Sequence, residues 1–452
     1  MKLPQLISLY AAVALAHSGG HYDQPQTCRF SSGDDSTCLA GQSLLLTPQP
    51  DILVADYPCG INGTDCNYVP KHKWTHSSPC FKSTESDDKF CVFTDTNFAN
   101  GRGASFVMSG RRAAYLATNP GFVEPDLTKD TNQDIETSAL YRMKEFPGKG
   151  MGLEAKKHIR RGDLIMANTV SLMIDYRVFD EITKEDYMQL QVAAVDNLPA
   201  PHRAAVLELS THHATNLSHI EKIDKLTATN AFDIAPDADD EDQDHSFFVV
   251  FPEIARMNHD CRPNADYYYD HATLTQYIHA LRDIMPGEEI TLSYINPAMT
   301  RADRMRRLKR IWGFDCACHL CTQAQKSADA SDKRIEQIKG LYWEFRNKKQ
   351  DSRATPQMAE LLISLYEQER LGGSMYEGYA LAALEYNGVG DPWTATKFAR
   401  LAIEYGLTTV GDKDADVKDM LQLAEDPWSH WSWMQRTKTR MGWGKKEDDD
   451  SD

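Results

Sequence analysis

Three cysteines stand within six residues in the stretch FDCACHLC: Cys316, Cys318 and Cys321. A fourth, Cys261, lies about 55 residues upstream in RMNHDCRPN. Four thiolates complete a tetrahedral zinc shell, and a closed all-cysteine shell is structural because it leaves no position for a substrate. The spacing lets one tight loop aim three sulfurs at a point, so the metal would clip that loop onto the NHDC segment. Two disulfides or four free thiols are the alternatives. Nearby residues could also do chemistry. Asn258 and His259 precede Cys261, Tyr294 ends GEEITLSY, and Lys149, Gly150, Met151 and Gly152 form most of the glycine-rich GKGMGL. Taken singly each is weak. Asn258-His259 reads as a satisfied turn, Tyr294 as a strand aromatic, and the glycines fall short of a dinucleotide fingerprint.

The chain that must position them has 452 residues, long enough for two or three domains. Its net charge of -17 argues against direct nucleic-acid binding, which needs a basic face to displace counterions. A lysine-rich protein suits it better as a partner. Residues 1–16 read as a signal peptide ending in an Ala14-Leu15-Ala16 cleavage pattern. That run is too short to span a bilayer, so no membrane span is expected. Six of the ten cysteines (Cys28, Cys38, Cys59, Cys66, Cys80, Cys91) crowd the N-terminal block without a C-x-x-C pair, which suits disulfides. With the glycosylation sequons at Asn62 and Asn216, these features point to the secretory pathway or the extracellular space, with cytoplasm or nucleus the alternative if the leader stays uncleaved.

Residues 17–130 read as a loop-rich, disulfide-bonded region. Short strands follow over 135–180 around a turn at Arg161-Gly162-Asp163, then a helical insert over 182–245 ending in an acidic run. Apolar runs such as FFVVF, ADYYYD and ITLSYI read as strands. The six basic residues of RADRMRRLKR read as a solvated helix face. From 325 to 440 the apolar period is helical and broken by short Gly- or Pro-containing turns, predicting helical hairpins. Residues 441–452 read as an acidic disordered tail.

Taken together and in order, GKGMGL, RMNHDCRPN, GEEITLSY and WGFDCACHLC resemble the SET-domain protein lysine methyltransferases over roughly residues 140–322. The arrangement is most similar to the SET-and-MYND subgroup and related fungal proteins. It departs from them in having no cysteine-histidine MYND finger inside the SET region, and in Asp260, where the family usually has serine. The resemblance implies an α+β fold. A SET domain of short strands over 135–300, with its helical insert, is followed by a post-SET zinc loop over 301–322 and a helical hairpin domain.

The activity implied is S-adenosylmethionine-dependent methyl transfer to a protein lysine side chain; a weak or inactive SET-fold interaction protein of the secretory pathway is the alternative. By similarity, Lys149 to Gly152 would cradle the methionine part of S-adenosylmethionine. Asn258, His259 and Asn230 would hold it, and Phe314 would lie against the adenine. Structural Zn2+ would sit on Cys261, Cys316, Cys318 and Cys321. Tyr294 would be catalytic, orienting a lysine amine that must first lose its proton, since a free lysine titrates near ~10.4. One of Tyr267, Tyr268 and Tyr269 would line the lysine channel.

Overall fold

The computed structural model describes residues 74–211, 216–237, 245–347 and 351–442. The leader, Cys28, Cys38, Cys59, Cys66, the Asn62 sequon and the tail from residue 443 lie outside them. Within them run thirteen strands: β1 Cys80–Lys82, β2 Lys89–Asp95, β3 Ala104–Ser109, β4 Tyr141–Phe146, β5 Gly150–Ala155, β6 Leu164–Thr169, β7 Leu172–Asp175, β8 Ala231–Ile234, β9 Phe247–Val250, β10 Asn258–His259, β11 Ala265–Asp270, β12 Thr275–Ala280 and β13 Glu289–Leu292. The chain folds as two compact units. Of the described residues, one unit takes those from 74 to 132, 168–255 and 271–275; the other takes those of 133–167, 256–270 and 276–442.

The first unit is built on a six-stranded sheet in the order β1-β2-β3-β7-β9-β8. Its central strands read as near-continuous apolar runs, as expected of strands covered on both faces. Phe90, Val92, Phe106, Val107, Val249 and Val250 are wholly buried. So the segment read as loop-rich in fact supplies two core strands, β2 and β3. The turn-forming residues around FCVF and ASFVMS dominate its composition and hide them. Cys80 and Cys91 stand opposite each other on β1 and β2 and form a disulfide.

Helix Lys184–Asp196, capped by Thr183, packs on β2 and β3. Helix His219–Asn230 begins with a capping box in which Ser218 and Glu221 satisfy each other's backbone N–H groups. The serine of the second sequon therefore has a structural task. The helical part of the insert ends at Asn230, and Ala231–Ile234 joins the sheet.

In the second unit β4 and β5 form a hairpin pairing Tyr141 with Ala155 and Phe146 with Gly150. The turn between them needs glycine at 148, where φ is +73°. β13 lies antiparallel to β5, and β10 runs parallel to β13, completing the order β10-β13-β5-β4. A three-stranded sheet, β11-β12-β6, accompanies it.

Helix Arg301–Trp312, capped by Thr300, stops at Gly313 with φ +75°, and this left-handed stop turns the chain into the cysteine loop. The predicted hairpins follow as helices Gln325–Arg346, Pro356–Gln368, Met375–Val389, Pro392–Thr409 and Ala415–Glu425. Gly378 and Gly406 let them approach closely: a Cβ at 406 would come within 2.7 Å of Val417 and 2.9 Å of Tyr376. No described helix is long and apolar enough to cross a membrane.

Two carboxyls among these helices are out of their usual range. Burial, opposed by a Tyr366 hydroxyl at 3.2 Å, raises Glu377 to about 7. Burial and the neighbouring Asp414 raise Asp416 to about 7 as well. Both titrate higher folded than unfolded, so the folded state holds more protons between their ordinary values and about pH 7. Stability of this unit should fall as pH rises through that window. Glu377→Gln should flatten the fall, read as denaturation midpoints at pH 5 and pH 8; an unchanged slope would remove Glu377 as its source.

Candidate functional site

The predicted site residues, Asn230 excepted, all belong to the second unit. β10 carries Asn258 and His259 alongside β13 and places them beside β5 through Asn258, whose side-chain amide donates to the Met151 carbonyl at 3.3 Å. The same amide donates to Glu289 Oε1 at 2.9 Å, and Lys149 Nζ donates to Glu289 Oε2 at 2.6 Å. Glu289 thus ties the glycine-rich hairpin to the NH segment, a role sequence reading missed. Its one signal was an acidic residue at the start of a strand read for its tyrosine.

Gly152 has no room for a side chain. A Cβ there would sit 2.6 Å from Asn258 Nδ2, 3.0 Å from Phe146 and 3.1 Å from Glu289. Gly152→Ala should therefore cost about 1–3 kcal/mol by overpacking and push Asn258 off its partners. A thermal melt checks it, and an unchanged midpoint would show that the hairpin yields freely.

His259 is buried, and burial pushes its imidazole down to about 3, so the ring is neutral. Its Nδ1 accepts the Tyr294 backbone N–H at 3.0 Å, which puts the ring proton on Nε2. From there it donates to Cys261 Sγ at 3.3 Å. Tyr294 lies just beyond β13, not within it. Its hydroxyl donates to the Met257 carbonyl at 2.8 Å, and its ring lies 5.3 Å from Trp312 and 5.4 Å from His259. Burial, aided by the Glu289 charge, pushes its phenol above the usual range, so it stays protonated. The Phe314 ring lies 6.2 Å from that of His259.

The four cysteines of the metal reading converge. Cys261, Cys316, Cys318 and Cys321 are all buried, and their sulfurs lie within 4.8 Å of one another. Cys261 Sγ stands 3.9 Å from Cys316 Sγ and 3.6 Å from Cys321 Sγ, with no disulfide among the four. A tetrahedron with metal–sulfur bonds of ~2.3 Å has edges of about 3.8 Å, so the cluster has the dimensions of a zinc tetrathiolate. His259 then joins the cysteine cluster to Tyr294 in one line of hydrogen bonds.

Other predicted residues have different surroundings. Asn230 belongs to the first unit, where its amide donates to the carbonyls of Ser210 and Leu226. Tyr268 stacks on Tyr277 and His279 at 5.1 and 5.8 Å, and a Cβ on Gly411 would meet it at 2.8 Å, so it packs the interior of the unit. Asp260 accepts the Arg262 backbone N–H at 2.8 Å, a bond that a serine hydroxyl could equally accept. The serine-to-aspartate departure therefore keeps the turn. The basic helix is not simply a solvated face either: Arg304 is wholly buried.

Comparison with known proteins agrees with this geometry. The SET domain family matches residues 150–295. The zebrafish (Danio rerio) N-lysine methyltransferase SMYD2-B is 32% identical over 141 residues, covering 28% of this chain and 32% of that protein. Histone-lysine N-methyltransferase set5 of Schizosaccharomyces pombe is 28% identical over 200 residues, covering 44% of this chain and 56% of its own length. Human N-lysine methyltransferase SMYD2 is 39% identical over 88 residues, 20% of each chain. The chain thus spans between a fifth and just over half of the length of these relatives. The matched region contains β5, the NH segment and Tyr294, elements that the structure brings together. Residues 150–295 thus match the SET domain family, and over parts of its length the chain is similar to lysine methyltransferases.

Proposed function

We propose that the chain is an S-adenosylmethionine-dependent protein-lysine N-methyltransferase whose four-cysteine cluster holds a structural zinc ion. The observation that carries the reading is the bonding of Tyr294. Its phenol is anchored on the Met257 carbonyl and its backbone on His259, which bonds to Cys261.

The residues fit the cofactor. The glycine at 152 lets Asn258 and Glu289 close on the hairpin, where a Cβ would come within 2.6 and 3.1 Å of them, so backbone and amide groups crowd together at this edge. Lys149, Gly150, Met151 and Gly152 would hold its methionine part there, with Asn258 and His259 beside them and Phe314 toward its adenine. S-adenosylmethionine, when bound, supplies an electrophilic methyl group on a cationic sulfonium. The chain's own residues must deliver a neutral lysine amine to it. Tyr294 donates its O–H to the Met257 carbonyl, so its oxygen lone pairs remain to accept an N–H of that amine. Desolvation beside a cation lowers the amine's pKa, and alignment supplies much of the acceleration.

Calorimetric titration of zinc-loaded protein with S-adenosylmethionine tests the reading. One site per chain is expected. Folded, zinc-loaded protein that binds none would leave a SET fold serving only as an interaction module.

A further inference from the structure

The turn that presents Lys149 has little to hold it. Gly148 and Gly150 on either side take positive φ, +73° and +77°, where a Cβ would meet nothing within 4 Å. Pro147 to Met151 are all exposed, and the Lys149 N–H closes the turn on the Phe146 carbonyl at 3.0 Å. Two glycines in so short a turn leave it much conformational entropy when nothing restrains it. Among the described residues, Glu289 is the one side chain that bonds the Lys149 ammonium, at 2.6 Å.

Glu289, by contrast, is anchored. Its strand, β13, is paired on both sides, with Glu289 opposite Glu154 of β5 and Thr291 beside Asn258 of β10. The buried Asn264 amide donates to the Glu289 carbonyl at 2.8 Å, and the Asn264 side-chain oxygen accepts the Thr291 N–H at 2.8 Å. The Glu289 side chain keeps 13% of its surface, so its pairing with Lys149 is less screened than an open surface pair. Its other oxygen takes the Asn258 amide at 2.9 Å. A fixed carboxylate thus sets the places of two side chains, one on a loose turn and one on β10.

We propose that Glu289 is a positioning residue for the cofactor. It pre-orders Lys149 and Asn258 for the amino-acid end of S-adenosylmethionine and does not itself touch the reacting atoms. The proposal rests on the methyltransferase reading above, which gives those two residues to that end. Ordering the turn beforehand removes an entropic cost from binding. Loss of Glu289 therefore weakens cofactor binding and spares the transfer step, which belongs to Tyr294.

The test is Glu289→Gln in the full zinc-loaded chain. In the cofactor-free protein, hydrogen exchange at residues 148–152 should quicken by about tenfold, the mark of easier local opening. Calorimetric affinity for S-adenosylmethionine should fall about tenfold, the low end for losing a hydrogen bond to a charged group. The KM for the cofactor should rise while kcat at saturation stays within about twofold of wild type. Wild-type exchange at 148–152, or wild-type affinity, in the folded variant overturns the proposal. A fall in kcat with KM unchanged overturns it too, by placing Glu289 in the chemistry. Faster exchange spread over the whole unit would make Glu289 a residue of the fold alone, with the same consequence. If Glu289→Gln does not fold, as judged by circular dichroism, Glu289→Asp replaces it. That side chain is one methylene shorter, and wild-type exchange at 148–152 in it overturns the proposal. Wild-type protein that binds no S-adenosylmethionine is a separate result; it removes the methyltransferase reading, and the proposal with it.

Discussion

Replacing Tyr294 with phenylalanine is expected to slow methyl transfer by about 10²–10³-fold while S-adenosylmethionine still binds. The change deletes one oxygen from a ring held by its neighbours, Trp312 at 5.3 Å and His259 at 5.4 Å, so the ring should stay in place. What disappears is the bond to the Met257 carbonyl and the lone pairs that would orient the amine. Removing a preorganised group that acts mainly on the reacting atoms typically costs that much rate, and it lowers kcat more than it changes ground-state binding. Single-turnover rates and a calorimetric titration on the same preparation check both halves. A variant as fast as wild type would remove Tyr294 from the chemistry, and one that no longer binds the cofactor would make it structural.

Replacing Cys261 with serine is expected to have the larger structural effect. Cys261 is the one cysteine of the cluster outside the 316–321 loop, and it also receives the His259 Nε2–H. Its loss should take zinc from about one ion per chain to near none, because structural zinc contributes on the order of 10 kcal/mol only when its shell is complete. Phe314, two residues before Cys316, should lose its position with the loop, and cofactor affinity should fall at least about tenfold, in line with lost metal support. The C-terminal helices should survive, since Ile335, Ile338, Leu362, Ala382, Ala399 and Ala402 are all buried on helices that lie apart from the cysteine loop in sequence and pack on one another. Metal analysis and far-ultraviolet circular dichroism separate these outcomes. Full zinc retention in the variant would mean that Cys261 is not a ligand.

How far the sequence carried depended on whether a residue's task is written in its type. Cysteine spacing announces a metal shell, because few other arrangements want three thiols in six residues, and the cluster closes on the four that were named. The glycines and Tyr294 were legible only in combination, through the order of four short motifs. Glu289, Arg262 and Arg304 were not legible, because a charged residue in a sequence looks solvated. Only the fold shows that Arg304 is wholly buried and that Glu289 bridges Lys149 and Asn258. The same blindness hid β2 and β3. FCVF and ASFVMS are too short for a period to emerge, and their glycine, serine and aspartate neighbours looked like loops. For the triplet Tyr267, Tyr268 and Tyr269, composition could not choose. Tyr268 was assigned to packing by its stack on Tyr277 and His279.

The central claim is that this SET domain moves a methyl group from S-adenosylmethionine to a protein lysine. It is tested most directly by incubating zinc-loaded chain with methyl-labelled S-adenosylmethionine and lysine-rich protein substrates, then hydrolysing the products to amino acids. The account predicts label in Nε-methylated lysine, present with wild type and reduced about 10²-fold or more with Tyr294→Phe. Label in any other amino acid, or label in lysine that does not depend on Tyr294, would contradict it.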